Sequence, residues 1–309
     1  MTPRQIHGFK VFHVMFKQKA EGDWTGNFLL TYEGKRAPFQ DFLTQEVKHT
    51  GTLFLDSGAF PAMRKNTDLD VDKYIEFVNT HSGVYEIVAQ LDYMPRMHEI
   101  NQEGMQMKSA DLTWERMVYM LDKVDEWEKL AYVVHPSEPA EMLLRRALKY
   151  VSPLGRTIKV MGIGLARPDK QQRMHLISIW DKVAREANYQ GKFHAFGLQD
   201  ADCLGMSEYI TSCDSSSAIR DQMNGVIFIQ GQTYKLSDDT EAHHKSDISP
   251  AHREEQEKFL RARAEEMGVD YEAAKTQPQA RYLWCVKERD LYFTASARIK
   301  PQRQSRKLI

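Results

Sequence analysis

The sequence predicts an α/β protein, a (β/α)8 TIM barrel with a small C-terminal appendage. Three observations predict it. Short apolar runs recur along the chain as far as Ile229. Segments with helical spacing of apolar residues separate many of them. The length, 309 residues, suits one barrel or two small domains. Alternating strands and helices imply parallel strands joined by right-handed crossovers. A doubly wound open sheet is the alternative, and eight candidate strands favour closure.

Those strands are Val11–Met15, Leu53–Leu55, Glu86–Leu91, Ala131–Val134, Ile158–Met161, Phe193–Phe196, Tyr209–Ser212 and Val226–Ile229. Helical patterns cover Val71–Val78, Leu112–Leu130, Ala140–Tyr150 and Lys170–Ala187. The last is rich in good helix formers and lacks Gly and Pro. After Gln230 the rhythm changes. Ser237–Ser249 is polar, with Asp238, Asp239, Glu241, His243 and His244, and reads as a loop. Pro250–Met267 reads as a charged amphipathic helix stopped by Gly268. Tyr282–Val286 and Leu291–Thr294 read as a short hairpin or strand pair. The expected division is therefore a barrel over 1–235 and an appendage of loop, helix and basic tail over 236–309.

Hydrophobic residues make up 42% and charged residues 28%, an ordinary soluble composition. No run of about 18 apolar residues suggests a membrane span, and Met1–Lys10 lacks the apolar core of a signal peptide. The three cysteines, Cys203, Cys213 and Cys285, do not form a secreted disulfide framework, so a reducing cytoplasm is expected. Net charge is −1, which argues against a broad phosphate-binding footprint. The tail is the exception. Arg298, Lys300, Arg303, Arg306 and Lys307 follow Ala297 with no acid among them. It reads as a frayed, solvated end or as an arm on nucleic-acid phosphates.

In a parallel barrel, chemistry gathers where strands end and loops begin. Leu53-Phe-Leu-Asp-Ser-Gly-Ala-Phe60 runs an apolar strand straight into Asp56, Ser57 and Gly58. Ala89-Gln-Leu-Asp92 ends in a second acid. Val160-Met-Gly-Ile-Gly-Leu165 places two glycines at a strand end, where backbone can approach a flat ligand. Phe193-His-Ala-Phe-Gly197 follows, then Tyr209-Ile-Thr-Ser-Cys-Asp214-Ser-Ser-Ser217. Each segment alone reads better as a turn or helix cap. Together they bring Asp56, Asp92 and Asp214 to one barrel mouth. Two carboxylates facing one sugar carbon are the minimum set for retaining glycosyl transfer, in which one attacks and the other moves protons.

In this order the segments resemble the tRNA-guanine transglycosylase superfamily, over roughly Leu53 to Gly225. Asp56-Ser-Gly-Ala-Phe60 looks like its Asp-Ser-Gly-Gly-Phe/Tyr motif. The resemblance implies that Asp56 is the general acid/base, that Ser57 and Gly58 line the base site, and that Phe60 stacks on the base. Gln90-Leu-Asp92 looks like the segment whose acid reads the guanine edge. Gly162-Ile-Gly-Leu165 resembles the Gly-Gly-Leu stretch, which implies backbone contacts from Gly164 and Leu165. Phe196-Gly197 resembles the Met-Gly pair that covers the other face of the base. Asp214 aligns with the nucleophile, and Arg220 with a basic residue after it.

Two departures shape the expectation. The family's Gln-Gly-Gly appears here as His135-Pro-Ser137, and His135 is expected to contact the base or a phosphate. The family's Cys-x-Cys-x-x-Cys…His zinc motif is absent, and no spacing makes a metal set of His243, His244, His252 and Cys285. The resemblance is therefore closest to the DNA-guanine transglycosylases of bacteria and their viruses. It implies a pentosyltransferase that replaces guanine in DNA with a 7-deazaguanine of the preQ0 type, with no cofactor and no metal. Its expected partners are DNA, the 7-deazaguanine base and other proteins of the modification pathway, with no membrane. Its expected place is the cytoplasm, that of the host cell if the chain is viral. Expected DNA-contacting residues are Arg220, Arg298, Lys300, Arg303 and Arg306. Three readings compete: the same exchange on tRNA, a silent nucleic-acid-binding subunit, and a barrel hydrolase with metal on Asp56, Asp92, His135 and Asp214.

Overall fold

The computed structural model describes residues 4–5, 9–15, 24–32, 49–96, 99, 102, 104–135, 139–165, 169–198, 200, 203–236, 250–296 and 298–299. Eight parallel strands close into a barrel in sequential order. They are β1 (Lys10–Val14), β2 (Asn27–Thr31), β3 (Leu53–Asp56), β4 (Tyr85–Ala89), β5 (Leu130–Val134), β6 (Val160–Gly164), β7 (Lys192–Phe196) and β8 (Ile210–Ser215). Helices α1 (Ala59–Arg64) and α2 (Val71–Thr80) link β3 to β4. The next three crossovers carry α3 (Met105–Lys123), α4 (Ala140–Lys149) and α5 (Lys170–Glu186), and α6 (Ser217–Met223) follows β8. This is the (β/α)8 TIM barrel that the alternation predicts.

Strands buried on both faces read as near-continuous apolar runs. All five residues of β5, Leu130 to Val134, are buried. Alternate residues point inward, and Phe12, Leu29, Phe54, Ile87, Ala89, Ala131, Val133 and Val160 fill the barrel. The residues between them join the larger core under the helices. At the N-terminal end an ion pair between Lys10 and Glu86 spans β1 and β4. Helix starts are set locally. The Asp70 carboxylate accepts from the Asp72 and Lys73 amides at the head of α2, and Asp169 accepts from Gln172 at the head of α5.

One barrel strand differs from expectation. Asn27–Thr31 is β2, and Val226–Ile229 lies outside the barrel. The apolar stretch of β2 is only Phe28 to Leu30, and the Asn27 side chain accepts from both the amide and the hydroxyl of Thr52 in the approach to β3. Val226–Ile229 is β9, which pairs antiparallel with β10 (Gln232–Lys235). It is apolar because helix packing covers it: the Cys285 thiol reaches the Val226 carbonyl, and Phe228 meets Tyr292 edge-on. Element ends also move. β6 and β8 run further than expected, to Gly164 and Ser215, so Gly164 and Asp214 stand within strands. α3 ends at Lys123, where Val124 turns extended, and a 3-10 turn covers Trp127–Lys129.

The predicted hairpin over Tyr282–Thr294 is instead part of one helix. The appendage has α7 (Pro250–Glu266), α8 (Tyr271–Thr276) and α9 (Pro278–Ser296). Gly268 adopts φ +61 just beyond α7, as its C-cap reading requires. The misreading has a physical cause. Tyr282, Trp284, Cys285 and Val286 are all buried, so α9 lacks the apolar stripe of a surface helix. Tyr282 packs on Trp24 and Phe28 and donates to the Val14 carbonyl at 2.7 Å, while Trp284 faces Tyr271 of α8. The appendage is thus built into the barrel wall beside β1. The loop expected over Ser237–Ser249 lies outside the described residues. Among the described residues, no helix is long and apolar enough to cross a membrane.

The Arg289 guanidinium binds Asp221 of α6 at 2.7 and 2.9 Å and lies over the Phe228 ring. Burial pushes the Asp221 carboxyl up, against the pull of Arg289. Breaking one side of such a pair leaves a buried charge. Arg289→Met lowers the unfolding free energy by about 3 kcal/mol in urea titration. Adding Asp221→Asn restores much of the loss, because no uncompensated charge remains.

Candidate active site

The C-terminal ends of six neighbouring strands, β3 to β8, gather most of the residues singled out in the sequence. Asp56 is the last residue of β3. Asp92 lies just beyond β4, and His135 directly follows β5. Gly164 ends β6, Phe196 ends β7, and Asp214 is the penultimate residue of β8.

Gly58 adopts φ +76 at the head of α1, a conformation that suits glycine, and its amide donates to Asp56 Oδ2 at 3.3 Å. Ser57 is buried. Its hydroxyl donates to Asp92 Oδ1 at 2.9 Å and accepts from the Ala59 amide. Ser57 therefore orients Asp92 instead of facing a ligand. The other Asp92 oxygen lies 3.0 Å from His135 Nε2. Arg116 of α3 donates to the Asp92 carbonyl and fixes the backbone there. The Ser57 and Arg116 bonds thus fix both the carboxylate and the backbone of Asp92, with His135 beside it.

Asp214 is held through one oxygen. Its Oδ1 accepts from the Gly197 amide at 2.8 Å and lies 3.2 Å from His194 Nε2. Gly197 reaches this position with φ +66. The Leu165 amide donates to the Phe196 carbonyl, and the Leu165 side chain is buried. The Leu165 amide is therefore engaged with β7 and does not face the mouth. The Phe196 ring covers Gly162, where any side chain would collide with it: an added Cβ would stand 2.2 Å from the ring. Phe54 meets Phe196 edge-on from within the barrel.

Three carboxyl groups in one mouth raise the cost of ionising them all. Asp56 takes the consequence. Burial first, then the charges of Asp92 and Asp214, push its pKa up to about 7, with amide hydrogen bonds opposing. The three carboxyl groups also differ in their hydrogen-bond donors. Asp92 has the Ser57 hydroxyl and a histidine beside it, and Asp214 has an amide and a histidine. Among the described residues, Asp56 has only backbone amides. At neutral pH the site therefore holds an acid that can give or take a proton.

Among the described residues, the other expected ones lie off the strand ends. Phe60 is 42% exposed on the first turn of α1. Arg220 lies on α6, where its guanidinium donates to the Ser217 hydroxyl. Arg298 pairs through its backbone with Gln5 in a two-residue ladder. Lys300, Arg303 and Arg306 lie outside the described residues, as do His243 and His244. Cys203, Cys213 and Cys285 are buried, Cys213 in β8 and Cys285 in α9, and burial pushes the Cys213 and Cys285 thiols up. Among the described residues, no three His, Cys, Asp or Glu side chains are grouped to hold a metal ion.

Sequence reasoning gave His194 and Ser212 no role. The signal was alternation along the strands. His194 is two residues before Phe196, and Ser212 two before Asp214, so each shares the inward face of its neighbour.

Compared with known proteins, the chain matches no family model and no curated protein to a significant degree.

The raised Asp56 pKa has a consequence for stability. An unfolded Asp56 ionises near 3.8 and a folded one near 7, so between those pH values the folded state keeps a proton that the unfolded chain has lost. Its contribution is full below about pH 4 and is lost as pH rises through 7. Asp56→Asn removes that loss. The variant is more stable than the parent by up to about 4 kcal/mol at pH 8 and nearly equal at pH 3, read by urea unfolding across pH.

Proposed function

We propose that this chain is a base-exchange transglycosylase that replaces guanine in DNA with a 7-deazaguanine through a covalent bond between Asp214 and the deoxyribose. The observation that carries the reading is the pairing of two carboxyl groups with different tasks in one barrel mouth. Asp56 is half-buried, and desolvation with the charges of Asp92 and Asp214 pushes its pKa up to about 7. Asp214 has one oxygen anchored by an amide and a histidine.

A guanine nucleotide is turned out of its stack, or taken from single-stranded DNA, into the mouth. Phe60 and Phe196 sandwich the base. Asp92, aligned by Ser57 and His135, accepts from its N1–H and exocyclic amine. The Gly164–Leu165 backbone lies along the neighbouring edge, and Gly58 and Gly197 let the backbone come close. A lone pair of Asp214 attacks C1′, and the C1′–N9 electron pair departs with guanine, which takes the Asp56 proton. The transition state is oxocarbenium-like, and the nearby carboxylates favour it. A 7-deazaguanine then enters. The Asp56 carboxylate takes its N9 proton, N9 attacks C1′, and the bond to Asp214 breaks. The bond broken and the bond made are nearly equal in energy, so the exchange needs no energy source. Arg220, and the tail through Arg298, Lys300, Arg303 and Arg306, would meet backbone phosphates.

DNA is favoured over tRNA because the zinc motif of the tRNA enzymes has no counterpart in this sequence. The test incubates the protein and preQ0 with guanine-labelled DNA or guanine-labelled tRNA and follows release of labelled guanine. Release is expected from DNA, abolished by Asp214→Ala and slowed by about 100-fold or more in Asp56→Asn. Release from tRNA alone would overturn the substrate, and full release by Asp214→Ala would overturn the mechanism.

A further inference from the structure

His194 is fully buried inside the barrel, and both of its ring nitrogens have partners. Nδ1 lies 2.9 Å from the Ser212 hydroxyl and Nε2 lies 3.2 Å from Asp214 Oδ1. The ring is enclosed by aromatic neighbours. Phe54 lies 4.5 Å away at a 35° tilt, Phe196 lies 4.5 Å away nearly edge-on, and Phe12 is at 6.0 Å. This enclosure leaves the imidazole little freedom to rotate or to meet water.

With a neutral ring, the hydrogen-bond chain has one direction. A carboxylate only accepts, so the nitrogen facing Asp214 carries a proton. A neutral ring then has a bare Nδ1, which accepts from the Ser212 hydroxyl. Oδ1 of Asp214 thus receives two donors, His194 Nε2–H and the Gly197 amide. Among the described residues, Oδ2 receives none. We propose that the Ser212–His194 pair selects the reacting oxygen of Asp214, with Oδ1 as the anchored atom and Oδ2 as the atom that bonds to C1′.

The inference rests on the base-exchange reading for its catalytic consequence, and His194 is a positioning residue in it. In the first half, an Oδ2 lone pair forms the bond to C1′ and the C1′–N9 pair leaves with the base. In the second half, the incoming N9 forms its bond to C1′ and the C1′–Oδ2 pair returns to the carboxylate. The two donors at Oδ1 are already in place for that returning charge, so they favour departure of Asp214 without reorganisation. His194 does not touch the base in this scheme, so its loss lowers kcat and leaves KM for the base unchanged.

The test uses the full chain and two readouts. The first is ¹⁵N NMR of labelled histidine, which reports the tautomer directly. The expected state of His194 is Nε2 protonated with Nδ1 bare, shifting toward a mixture in Ser212→Ala. A protonated Nδ1 in the parent protein overturns the proposal. The second is preQ0-dependent guanine release by His194→Leu and His194→Gln. Leucine fills the site but cannot donate, and glutamine places an amide donor near the position of Nε2. His194→Leu is expected to lose about 100-fold in kcat with KM for preQ0 within about twofold, and His194→Gln to recover to within about tenfold of the parent. Equal losses in the two variants, or a loss carried by KM, overturn the positioning role. If His194→Leu does not fold, Ser212→Ala carries the kinetic test, with a kcat loss of about tenfold expected and an unchanged kcat overturning the proposal. An inactive parent protein that shows the expected tautomer overturns the base-exchange reading and leaves the anchoring of Oδ1 standing.

Discussion

Everything at the barrel mouth depends on the pairing of β8 with β1. That pairing sets Cys213 beside Val11, Asp214 beside Phe12 and Ser215 beside His13. It closes the sheet, and it also assigns the two faces of β8. Ser212 and Asp214 face the interior, while Cys213 joins the outer core. A one-residue slip would exchange these faces and put an acid into the apolar layer beneath the helices. Burial on both sides therefore specifies the register strongly, and the position of Asp214 follows from the same packing that makes the barrel.

The electrostatics follow from this geometry. Closure brings acids from β3, the loop after β4 and β8 within reach of one another, and burial together with the charges of Asp92 and Asp214 pushes the Asp56 carboxyl up. The protein stabilises Asp92 and Asp214 with hydroxyl, imidazole and amide groups and, among the described residues, leaves Asp56 with backbone amides alone. A fold selected only for stability would place no third carboxyl group here. The arrangement is an example of local destabilisation concentrated at a site and carried by a well-packed scaffold.

The residues that announced themselves in the sequence did so by interrupting a pattern. Asp56 and Asp92 each close an apolar run, so strand and mouth could be read together. Asp214 was legible in the same way, although its strand continues to Ser215. His194 was hidden because a histidine in the middle of an apolar strand looks like core, and only its spacing from Phe196 marks the inward face. β2 was hidden by its short apolar stretch. Helix α9 was misread because burial on several sides erased its period. Local pattern reports one buried face well. It reports poorly where an element is buried all round or where a side chain matters through a partner from another strand.

The bond from the Tyr282 hydroxyl to the Val14 carbonyl joins groups 268 residues apart. Asp290 of α9 adds a second tie, 3.0 Å from the Nε2 of His13, on the same strand. During synthesis β1 emerges early and waits for α9 before its outer face is covered. At about 5–20 residues per second that interval lasts on the order of tens of seconds. For that time the first strand of the barrel has an uncovered apolar face, and contacts of such long sequence separation make closure slow. The helix that completes the wall thus also decides when, in the life of the nascent chain, the barrel becomes whole.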